Sequence, residues 1–143
     1  DGTIDDECIY ILEKMSDWME VNGEGIFGTR PWHIAAEGDT VVEPKSRFHE
    51  PELNYKSEDF RFTQKDDSIY AFQLGWPEDN KALIKSFSAD RGKKLRLYDI
   101  KNIQLLGYEK KINFELTDEG LFINNIPSKR PVEFAHCFKI NLK

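Results

Sequence analysis

Cysteine is nearly missing from this chain: of 143 residues only Cys8 and Cys137 carry a thiol, and neither stands in a metal-binding or redox spacing. Both are expected to be free, buried and structural. Positive charge is in deficit as well. Twenty Lys and Arg against 26 Asp and Glu leave a net charge of −6, and the lysines are interspersed with acids, so no surface suits a polyanion and no nucleic-acid partner is expected. Long apolar runs are absent; none approaches the roughly 18 residues that cross a bilayer, and the start lacks the charged-then-apolar layout of a signal peptide. The three histidines, His33, His49 and His136, fall in no zinc-like pattern, so no metal is expected. No Gly-x-Ser-x-Gly elbow, internal repeat or low-complexity tract occurs, which excludes the common serine-hydrolase signature and argues against solenoids and propellers.

What is present is enough for one compact core, with 39% hydrophobic residues arranged first at helical and then at strand spacing. A helix is predicted over residues 5–22. Asp5 can cap it, Ile4 can staple onto Ile9, and Asp6 and Glu7 place negative charge where the helix dipole favours it. Cys8, Leu12, Met15 and Met19, widened by Ile11 and Trp18, form an apolar stripe opposite Glu13, Lys14, Asp17 and Glu20. That stripe must be covered by something or remain a sticky face. After it come three glycines between Gly23 and Gly28, where the backbone can take positive φ, and then Pro31, which prevents the helix from resuming.

From His33 to Asp59 breakers and mixed charge predict an irregular connector, with at most a short strand near Thr40 to Val42. Strands then follow at spacings of about 8 to 12 residues, which predicts an antiparallel β-sandwich of about eight strands. The clearest is a hairpin of Phe60-Arg61-Phe62 with residues 69–74 around Asp66-Asp67, ended by Gly75-Trp76-Pro77. Further strands are predicted at residues 82–87, 95–98, 103–106, 112–116, 121–124 and 134–142.

The passage Asn22-Gly23-Glu24-Gly25-Ile26-Phe27-Gly28-Thr29-Arg30-Pro31-Trp32, with Asp1-Gly2-Thr3-Ile4 ahead of the helix, resembles the end of the catalytic barrel of α-L-fucosidases of glycoside hydrolase family 29. There a Gly-Pro-x-x-Asp-Gly-x-Ile run leads into the last barrel helix, and an Asn-Gly-Glu-x-Ile-Tyr-Gly-Thr-x-Pro-Trp-like passage follows it. Gly25 and Phe27 are mild departures. Phe60-Arg61-Phe62-Thr63, residues 69–77, Ile103-Gln104-Leu105-Leu106-Gly107 and Thr117-Asp118-Glu119-Gly120-Leu121 are similar to strands of that family's C-terminal sandwich. The resemblance implies a division into residues 1–32 as the last barrel helix and its exit loop, 33–59 as connector and 60–143 as sandwich. A whole (β/α)8 barrel needs roughly 250 residues, so the barrel itself is not here.

The resemblance further implies a parent enzyme that hydrolyses terminal α-L-fucosyl linkages with retention, without metal or organic cofactor, in a secreted, periplasmic or lysosomal setting. Its partners would be the missing barrel and, through the parent, fucosylated glycans. Its Asp nucleophile and Glu acid/base would both lie upstream of Asp1, so no catalytic residue is assigned and this chain alone is expected to be inactive.

The carboxylates that are present, Glu20 with Glu24, Glu50 with Glu52, Asp66 with Asp67 and Asp118 with Glu119, lie in polar turns or faces and read as solvated charge. His136 shares a strand face with Phe134 and Phe138 and reads as a core histidine with one hydrogen-bond partner. Cys137, mid-strand, has no nucleophile's setting. Trp18, Arg30 and Trp32 are expected at the interface with the barrel. Trp76, Tyr55, Tyr98 and Tyr108, at predicted loops or strand ends, are the candidates for stacking on sugar, and would make the sandwich a carbohydrate-binding module rather than a brace.

Overall fold

The structure is a computed structural model and describes residues 2–40, 54–88 and 100–143. A single helix leads eight described strands in two antiparallel sheets. Helix α1 spans Asp6–Asn22; Asp5 Oδ1 accepts the Cys8 amide at 2.8 Å, the predicted cap. A 3-10 turn, Gly23–Gly25, closes it. The strands are β1 (Arg30–Glu37), β2 (Phe60–Lys65), β3 (Ser68–Gln73), β4 (Ala82–Ile84), β5 (Ile100–Leu105), β6 (Asn113–Thr117), β7 (Gly120–Asn124) and β8 (His136–Leu142). The larger sheet runs β1-β2-β3-β8-β5 and the smaller β4-β7-β6. Among the described residues no helix is long and apolar enough to cross a membrane.

Alternation puts the core between the sheets. Phe60, Phe62, Ile69, Ala71, Ile103, Leu105, Phe138 and Ile140 of the larger sheet meet Ala82, Ile84, Leu121 and Ile123 of the smaller. The hairpin of β2 and β3 pairs Lys65 with Ser68 across Asp66-Asp67, with Asp66 at φ 49°, as its turn chemistry requires. Strand β3 is buried on both faces, because the odd residues enter the sandwich while Tyr70 and Phe72 point out of it, where Trp18 of α1 covers them with Cys137 beside them. The molecule is therefore three layers deep at that point: helix, five-stranded sheet, three-stranded sheet.

Several expectations change. The passage from Arg30 to Glu37, read largely as exit loop and connector, is the edge strand of the larger sheet, paired with β2 through a register shift between Pro31 and Ala36. Pro31 is tolerated there because it sits at an edge strand's start. Trp32, expected against another domain, is 4% exposed and packs on Phe62 and Phe87 inside the sandwich. Of Gly23, Gly25 and Gly28, only Gly28 takes positive φ, at 70°. Gly25 is there for closeness: a Cβ would lie 2.7 Å from the ring of Phe72 and 3.1 Å from that of Tyr70. The strand expected over residues 82–87 turns into a 3-10 turn after Ile84, and that over 134–142 begins at His136. Cys8 is exposed rather than buried; Cys137 is buried, and both thiols are free. The strands expected near residues 40–42 and 95–98 fall wholly or mostly outside the described residues.

Connections that no local pattern announced hold the ends of the sandwich. The buried Asp59 carboxylate accepts from the Thr40 amide at 3.1 Å, the Thr40 hydroxyl at 2.6 Å and the Lys56 amide at 2.7 Å. Burial pushes its pKa up, but these hydrogen bonds outweigh burial and hold it below the ordinary 3.8.

Candidate functional site

The first three turns of α1 carry exposed apolar side chains. Ile9, Tyr10, Ile11, Leu12 and Met15 are exposed, with Leu12 at 54% and Met15 at 57%. The helix meets the sheet near its end, where the Trp18 indole packs on Phe72 with centroids 5.9 Å apart and donates its N–H to the Ala135 carbonyl at 2.6 Å. Between the helix and the strand-to-strand segment before β8 lies an apolar groove of about 350 Å³, lined by Tyr10, Ile11, Met15, Trp18, Met19 and Phe134. Phe134 is 62% exposed at φ 66°, a backbone region that aromatic residues rarely enter and that costs about 1–3 kcal/mol. Lys14 at one edge pairs with Glu133 at 3.0 Å, and both side chains are accessible. Burying such a face against a second layer is worth about 1.5–3 kcal/mol for each large side chain covered.

Beside it, the 3-10 turn is fixed to the outer face of the larger sheet. Glu24 Oε1 accepts from the Tyr70 hydroxyl at 2.9 Å and from the Lys139 ammonium, and Gly25 O accepts from the Thr63 hydroxyl at 2.7 Å. The Lys139 bond first, then Tyr70, holds the Glu24 carboxyl below its ordinary range, although burial opposes them. Burial and then the Glu24 contact push the Tyr70 phenol well up. Glu24 was expected to be simply solvated; its partners lie too far along the chain for any local pattern to show them.

At one end of the sandwich, His136 sits fully buried between Trp76 and Phe138. Gln73 donates its amide to the Ser57 carbonyl at 2.6 Å, which turns its oxygen to the imidazole, so His136 Nε2–H donates to Gln73 Oε1 at 2.7 Å. The expected core histidine with one partner is found. Its Nδ1 is buried without a partner among the described residues. Burial first, and Arg130 second, push its pKa down to about 3. The sign of the pH effect follows: below the ordinary 6.5 the unfolded chain takes up a proton that the folded one refuses until about pH 3. We expect about 2 kcal/mol of stability to be lost through this residue between about pH 7.5 and about pH 5. Urea unfolding at both values checks it, since His136→Gln should flatten that part of the dependence; an unchanged difference would show that His136 titrates normally.

The remaining candidates separate. Arg30 is exposed on β1 opposite Gln64. Tyr108 packs half-buried on the core in a tight turn, its N–H donating to Leu105 O at 3.0 Å. Tyr98 lies outside the described residues. Trp76 and Tyr55 line one polar groove. Among the described residues no group of three or more His, Cys, Asp or Glu could hold a metal ion.

A family model, the alpha-L-fucosidase C-terminal domain, matches residues 54–141. The chain belongs to that family. It is 27% identical over 133 residues to the tissue alpha-L-fucosidases of Rattus norvegicus and of Homo sapiens, covering 90% of this chain and 23% of each relative. The chain thus spans about a quarter of the length of these curated relatives. In fold it is similar to the alpha-fucosidase of Thermotoga maritima in complex with a mechanism-based inhibitor, with a TM-score of 0.68 and 19% identity over 99% of this chain and 28% of that one. The likeness includes more than the sandwich of this fucosidase C-terminal domain, since 99% coverage takes in α1 as well.

Proposed function

We propose that this fucosidase C-terminal domain braces a catalytic barrel, which is the remaining part of the polypeptide and packs on the uncovered face of α1. The whole polypeptide then hydrolyses terminal α-L-fucosyl linkages with retention, through two carboxyl groups about 5 Å apart that belong to the barrel. The observation that carries the reading is the exposed stripe from Ile9 to Met15 beside Phe134, on a helix anchored to the sheet by Trp18. The relatives' names and the quarter of their length that this chain covers support a larger neighbour as occupant of that face. Glu24 with Lys139 and Tyr70 then fixes the angle at which the helix leaves the sandwich.

Hydrogen exchange tests the brace. Amides of residues 9–15 should exchange much more slowly in the polypeptide that includes the barrel than in the 143-residue chain, and equal exchange in both would remove the barrel from this face. The isolated chain should not turn over an aryl α-L-fucoside; turnover that survives repurification would place catalysis in this region instead.

A further inference from the structure

A second groove, of about 860 Å³, opens where β3 leaves the larger sheet and β4 enters the smaller, and it shares no lining residue with the helix groove. Its size is in the upper part of the roughly 300–1,000 Å³ that small-molecule sites occupy. Trp76 is half-buried in its wall. The indole is held from one side by His136, edge-on at 4.4 Å and 64°, and the exposed Arg130 guanidinium lies over its ring, 5.9 Å from the centre, where a bound sugar would displace it. Tyr55, steadied by Arg61 at 6.0 Å, and Phe122 add two more aromatic surfaces.

The polar lining decides what such a groove suits. Lys56, Lys81, Lys85 and Arg130 are matched by Glu58, Glu78 and Asp79, so cations and carboxylates nearly cancel. A polyanion gains little there, and an apolar ligand would strand the charged groups. A ligand rich in hydroxyls can donate to the carboxylates and accept from the ammonium and guanidinium groups at once. A sugar ring also has one face lined by C–H bonds, which the electron-rich face of an indole attracts. We propose that this groove is a binding site for a neutral oligosaccharide, with one ring on Trp76 and neighbouring units along the charged rim. It does not depend on the helix face being a barrel contact.

The test uses the 143-residue chain, so that no barrel site contributes. Titration calorimetry and amide NMR with 2′-fucosyllactose, cellotetraose and chitotetraose should show saturable binding of at least one, at about millimolar Kd or tighter. Shifts should centre on the Trp76 indole, and Trp76→Ala should weaken binding about tenfold or more. Because Trp76 also supports His136, Trp76→Phe is the second variant: it keeps an aromatic wall and should weaken binding less than alanine while the amide spectrum stays folded. No saturable binding of any of the three up to about 10 mM would overturn the proposal. So would shifts centred elsewhere, or an affinity that Trp76→Phe and Trp76→Ala leave alone.

Discussion

In a polypeptide that carries the proposed barrel, replacing Leu12 and Met15 together by lysine is expected to lower stability by about 3–6 kcal/mol from lost burial alone and to abolish most fucoside turnover. Each side chain is more than half exposed in this chain, so neither is needed for the sandwich itself. Once a barrel covers them, each contributes about 1.5–3 kcal/mol of apolar burial, and each lysine adds the cost of a charge held away from water. Thermal unfolding and turnover of an aryl α-L-fucoside measure the two effects. The same pair in the 143-residue chain should leave the unfolding midpoint almost unchanged and reduce self-association, seen by sedimentation. Wild-type stability and turnover in the doubly substituted polypeptide would mean that this face stays in solvent throughout.

Gly120→Ala should cost about 3 kcal/mol or more, from two independent causes. Gly120 turns β6 into β7 at φ 146°, a conformation that L side chains rarely adopt. A Cβ there would also lie 2.4 Å from the Ile84 carbonyl oxygen and 2.9 Å from the Lys85 Cα, both backbone atoms that no rotamer change can move. Relief would push β4 off β7 and open the core at Ile84 and Leu121, each fully buried. Denaturant unfolding of the isolated chain reads the change directly. A midpoint within error of wild type would show that the small sheet shifts freely, and that the close approach of Gly120 to Ile84 matters little.

Much of this molecule was legible before any coordinates. Asp5 as cap and the 66–67 turn are short-range signals, each contained within one turn. The family resemblance rested on the same kind of local run, chiefly residues 22–32 and 60–77. The aromatic candidates were harder. Trp32 and Trp76 look alike in sequence, each beside a proline, yet one is core and the other lines an open groove. Strand β1 was hidden because a single buried residue in its first half, Trp32, gives no alternation to read, and its pairing skips a register.

The sequence by itself determined where the helix starts, where the hairpins turn and which face of each strand is apolar, because those depend on neighbours a few residues away. The tertiary structure alone decided that Glu24 meets Tyr70 and Lys139, 46 and 115 residues on, and that His136 meets Gln73 across 63 residues. It also decided that the apolar stripe of α1 stays open to solvent over its first three turns. Such contacts are set by how the layers stack, and stacking is fixed by the summed burial of a whole core, which no local pattern encodes.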